Sequence, residues 1–85
     1  MHDTFLLNNI SKEIQSICTN KKIDRVKYLK IIVNRNSHVT VDNLSEHLYI
    51  HNNECIKKEI TIEIIKGDVE DQTAIIEMIQ GEQFE

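Results

Sequence analysis

The chain has 85 residues, of which 40% are hydrophobic and 28% are charged. These fractions are typical of a folded globular protein, and the length allows one domain, spanning 1–85, with one modest core. The net charge is −4, and lysine and arginine are scattered along the chain, so no basic stripe is present to neutralise phosphates. We therefore predict no nucleic-acid partner.

No stretch approaches the roughly 20 apolar residues of a membrane span, and the first residues do not resemble a signal peptide. Cys18 and Cys55 are far apart in the sequence, and two cysteines are too few for a secreted disulfide framework. We therefore predict a cytoplasmic protein without membrane contact, with reduced thiols.

The first predicted element is an amphipathic helix from Thr4 to about Thr19. Asn20 is expected to end it, because asparagine tolerates the left-handed conformation that often follows a helix. The apolar residues recur at three- and four-residue steps; they are Leu6, Leu7, Ile10, Ile14, Ile17 and Cys18.

Alternation from Val26 to Asn34 predicts a strand that buries Leu29, Ile31 and Val33. Helical spacing returns after a polar turn, in the segment that begins near Val41. Asp42 and Thr40 are both candidates for the N-cap of this second helix.

Alternation over 58–66 predicts a second strand, with Ile60, Ile62 and Ile64 on one face. A polar turn near 67–72 leads to a third strand over Thr73–Gln80, and this short connection favours an antiparallel hairpin. The predicted fold is α+β, in the order α-β-α-β-β, with two helices packed on a three-stranded antiparallel sheet.

The opening MHDTFLLNNI and the strand VKYLKIIVN resemble the start of the HypA family of nickel metallochaperones. The later segments VDNLSEHLYI, EITIEII and TAIIEMIQ are similar to that family's second helix and its two remaining strands, in the same order. The resemblance implies that nickel binds at the N-terminus and is delivered during maturation of nickel–iron hydrogenase. The implied partners are a nickel-handling GTPase and the hydrogenase large subunit.

The sequence departs from the family pattern in three places. Asp3 stands where the family has glutamate, and Asn34-Arg35-Asn36 replaces the glycines expected after the first strand. Both Cys-x-x-Cys pairs are absent, and only the turn near 67–72 stands where the family inserts its zinc domain. Without those thiolates we expect no structural zinc.

Met1, His2 and Asp3 are the predicted nickel ligands. The Met1 amine, the His2 backbone nitrogen and the His2 imidazole can form fused chelate rings, which the Asp3 amide nitrogen completes. Four nitrogens in a plane suit Ni(II) and Cu(II) better than Zn(II). The alternative is that Met1 is only an initiator, His2 an exposed polar side chain, and Asp3 a favourable acid before a helix.

His47 and His51 are a weaker metal candidate, because residues four apart lie on one face of a helix. Cys55 would add a third ligand only if the helix extended that far. The alternative is a pair of surface or half-buried histidines with no ligand role.

No nucleophile elbow, phosphate-binding glycine loop or paired-carboxylate pattern is present, so we predict that the protein is not an enzyme. The alternative to a metallochaperone is a protein-interaction or regulatory module that kept the scaffold and lost the metal role. Such a module would act through a homodimer or through an exposed sheet edge.

Overall fold

The computed structural model describes residues 4–57 and 59–83. Two helices and three strands follow each other in the predicted order. They are α1 (Thr4–Lys21), β1 (Ile23–Asn34), α2 (Val41–His51), β2 (Thr61–Gly67) and β3 (Ala74–Gln83). The α+β class and the element order are therefore confirmed.

The sheet has the order β2-β1-β3, and its pairing is mixed. β1 pairs with β2 in parallel and with β3 in antiparallel orientation. The prediction of a fully antiparallel sheet with a β2–β3 hairpin is therefore wrong in its strand pairing. The parallel pair is possible because α2 carries the chain back across the sheet between β1 and β2, as a parallel connection requires.

The connection between β2 and β3 crosses the end of β1 instead of forming a hairpin. Six extended residues reach about 20 Å, whereas strands separated by one neighbour lie only about 10 Å apart, so 68–73 is long enough. The Asn34 side-chain amide donates to the Val69 carbonyl at 2.7 Å, and Arg35 pairs with Asp68 at 2.7 Å. Both contacts hold this crossing loop above the end of β1.

The helices cover one face of the sheet. α1 packs against β1 and β3, and α2 packs against β2 and α1. The predicted inward residues Leu29, Ile31 and Val33 are each 0% exposed, and Ile62 is also buried. Helix periodicity and strand alternation therefore identified most of the core, although Leu7, Ile60 and Ile64 are only partly buried. The core members from the helices include Leu6, Ile10, Ile14, Cys18, Leu44 and Leu48.

The helix ends also have local causes. α1 extends past the predicted Asn20, and Lys22 takes the left-handed conformation, with φ 55°, where the chain turns into β1. Thr40, and not Asp42, caps α2. The Thr40 hydroxyl accepts a hydrogen bond from the backbone N–H of Asn43, and the side-chain oxygen of Asn43 accepts one from the backbone N–H of Thr40. This reciprocal pair satisfies two amides that the helix leaves unpaired.

The opposite face of the sheet has no helix among the described residues. The Tyr28 hydroxyl donates to Glu63 at 2.6 Å, and Lys30 pairs with Glu77 at 3.2 Å on this face. Ile75 is 52% exposed and Met78 is 43% exposed, and both belong to the edge strand β3.

Candidate functional site

The predicted nickel ligands Met1, His2 and Asp3 lie outside the described residues. α1 begins at Thr4, so the three residues directly precede this helix in the sequence.

His47 and His51 are brought together on α2. Their ring centroids are 4.2 Å apart, and the ring planes are tilted by 36°. This is the proximity that the four-residue spacing predicts for a helix. Across residues 4–57 and 59–83, however, no group of three or more histidine, cysteine, aspartate or glutamate side chains is placed to hold a metal.

The Nε2 atom of His47 is buried and has no hydrogen-bond partner among the described residues. Burial lowers the pKa of His47 from its usual value, and the charge of neighbouring His51 lowers it further. Both effects disfavour the protonated ring. The neutral imidazole that metal binding requires is thus favoured, but its Nε2 is shielded from solvent.

We expect His47 to make the protein less stable in mild acid. The unfolded chain takes up this proton near pH 6.5, whereas the folded chain takes it up only at lower pH. The contribution of His47 to stability is thus complete above about pH 6.5 and is lost as the pH falls to the lowered pKa. Urea unfolding at pH 7.5 and 5.5 measures the loss.

His47→Leu removes the titrating group, so this variant should lose less stability between the two pH values than the wild type. His38→Leu is the matched control, because it removes a histidine and leaves His47 in place. Equal pH dependence in wild type and His47→Leu would contradict the assignment.

Two contacts that sequence reasoning missed join α1 to the segment after α2. Asn52 is 1% exposed; its side chain accepts from the Ser11 hydroxyl and donates to the Ser11 carbonyl at 3.0 Å. Farther along α1, Cys18 and Cys55 line the same surface pocket. Cys55 therefore lies beside Cys18 and does not extend α2 as a third ligand for the histidine pair. No local pattern could have paired positions so far apart in the chain.

The acidic residues that follow β2 belong to a turn. Asp68 is exposed and pairs with Arg35, while the Glu70 carbonyl accepts from the Thr73 amide at 3.2 Å. No helix within the described part of the chain is long and apolar enough to cross a membrane.

Comparisons with protein-family models, with curated proteins and with solved structures found no match to this chain.

Proposed function

We propose that this protein binds one Ni(II) ion through Met1, His2 and Asp3 and delivers it to a protein partner in the cytoplasm, without catalysing a reaction itself. The observation that carries the proposal is the Met-His start followed at once by α1. The element order α-β-α-β-β supports it, because the HypA resemblance implies this order.

The proposed ligands are all nitrogens, and two of them belong to groups that protons also bind. An α-amine titrates at about 7.7 to 8.0 and an imidazole near 6.5, so protons compete with the metal. Nickel affinity should therefore fall as the pH decreases from about 8 to about 6. Planar coordination also accommodates Cu(II), so delivery of nickel would depend on metal supply and on the partner.

By resemblance, the partners are a nickel-handling GTPase and the large subunit of nickel–iron hydrogenase. We assign no structural zinc, because the sequence holds only two cysteines and no Cys-x-x-Cys pair. Delivery would then depend on the N-terminal segment and on the α+β scaffold alone.

A spectroscopic nickel titration of untagged protein tests the proposal. We expect one equivalent to bind, and His2→Ala to weaken binding at least about tenfold, or about 1.4 kcal/mol. His38→Ala is the matched control, because it removes a histidine and leaves the N-terminus intact. One extra residue before Met1 should also weaken binding, since it removes the free amine from the chelate. Equal affinity in wild type and His2→Ala would refute the site.

The second candidate function is an interaction module without a metal role. The edge position of β3 favours it, because an edge strand can pair with another chain, and the exposed Ile75 and Met78 offer apolar contacts on the open face of the same strand. A homodimer is one such arrangement. Partner binding or self-association that resists His2→Ala and nickel removal, but is lost in Ile75→Lys, would favour this function over nickel delivery.

A further inference from the structure

Two cysteine side chains meet where the end of α1 approaches the segment after α2. Cys18 and Cys55 are each 3% exposed, and both thiols are free. Both side chains line one surface pocket of about 330 Å³. The pair is therefore buried but lies directly beneath a depression that a small molecule can enter.

The backbone holds Cys55 in this position from both sides. Its amide donates to the Asn52 carbonyl at 3.0 Å, and its own carbonyl accepts from the Val26 amide at 2.8 Å. Asn52 is in turn fixed to Ser11 on α1, the helix that carries Cys18. These contacts hold Cys55 against the helix that carries Cys18.

The Cys18 thiol is held in its protonated form. Burial, together with the smaller effects of a hydrogen bond and of charge from neighbouring Cys55, raises the pKa of the Cys18 thiol to about 12. Cys18 therefore keeps its proton near neutral pH. Because Cys18 holds its proton, the first attack falls to Cys55, and Cys18 attacks second.

We propose that Cys18 and Cys55 form an oxidation site that hydrogen peroxide converts to an intramolecular disulfide. The Cys55 sulfur attacks one peroxide oxygen and breaks the O–O bond, which gives a Cys55 sulfenic acid and one water. The Cys18 sulfur then attacks the Cys55 sulfur and breaks its S–O bond, and the Cys18 proton leaves with the hydroxide as a second water. The two thiols lose two electrons to the peroxide, and both thiol protons end in water.

The pocket favours a small neutral oxidant over a charged one. Asp24 and Glu54 line it together with the two cysteines. Their carboxylates repel an anionic oxidant such as oxidised glutathione, whereas hydrogen peroxide carries no charge and is small enough to reach a buried thiol. This site uses none of the proposed nickel ligands, and its test does not depend on nickel.

Mass spectrometry of the intact full-length protein, before and after stoichiometric peroxide, tests the proposal. We expect a loss of about 2 Da in the monomer, reversed by a dithiol reductant, and a Cys18–Cys55 peptide in a non-reducing digest. The oxidised monomer should also unfold at a temperature higher by about 5–15 °C, because the disulfide constrains the unfolded chain.

The single variants separate the two roles. Cys18→Ser should leave Cys55 as an unresolved sulfenic or sulfinic acid, a gain of about 16 or 32 Da, whereas Cys55→Ser should react much more slowly. Circular dichroism verifies that each variant is folded. Peroxide treatment of the wild type that gives only oxygen addition, only disulfide-linked dimers or no change would overturn the proposal.

Discussion

Replacement of Gly81 by alanine should lower the free energy of unfolding by about 2–4 kcal/mol. A Cβ atom on Gly81 would lie 2.1 Å from the Arg25 carbonyl oxygen and 2.9 Å from the Val26 Cα, both of which belong to the backbone of β1. Backbone atoms of a central strand cannot rotate away as a side chain can. Strand propensity alone predicts the opposite sign, because glycine weakens a strand interior.

Gly67→Ala is the matched control for this prediction. A Cβ at Gly67 would lie 3.0 Å from the Ile32 Cγ2 atom, which is the end of a side chain and can move slightly. We expect a change within about 1 kcal/mol for this variant. Urea unfolding of both variants measures the difference, and equal stabilities would show that the close approach at Gly81 does not constrain the strand pair.

The Asn52→Asp substitution should lower the free energy of unfolding by about 2–4 kcal/mol near neutral pH, as much as Gly81→Ala. The side-chain amide of Asn52 donates to the Ser11 carbonyl, and the site is 1% exposed. An ionised carboxylate of the same shape cannot donate, so two oxygens would face each other at a buried position that excludes water. Because the shape is unchanged, any loss reflects charge and hydrogen bonding and not a cavity.

Asn53→Asp makes the same chemical change at the adjacent exposed position. It should alter the free energy of unfolding by no more than about 0.5 kcal/mol. Urea unfolding of the pair at pH 7.5 compares them directly. A small effect at both positions would mean that the Ser11–Asn52 contact does not hold α1 against the segment after α2.

The candidate metal residues differ in how far local spacing could predict them. The contact between His47 and His51 follows from helix geometry, and the structure confirms it at 4.2 Å. The burial of His47 Nε2 does not follow from spacing, because it depends on what packs around α2. The Met1-His2-Asp3 site remains a prediction from resemblance and nitrogen chemistry, since those residues lie outside the described part of the chain.

The Cys18–Cys55 pair carries no signal in the sequence. The neighbouring residues account for each cysteine without a contact between them. Cys18 continues the apolar stripe of α1, and Cys55 follows a polar segment. They line one pocket because hydrogen bonds of Asn52 and Val26 hold the segment after α2 against α1 and β1. Periodicity predicts which side of an element is buried, but not which residue of another element it contacts.

The sequence by itself determined the elements, their order and the buried faces, because helix and strand periods depend on neighbouring residues only. Tertiary structure alone decided that β1 lies in the centre and pairs in parallel with β2. The physical reason is hydrogen bonding. β1 is the longest strand, with 12 residues, and in the order β2-β1-β3 it has a partner on both edges. A simple β1-β2-β3 order would leave one edge of this longest strand unpaired.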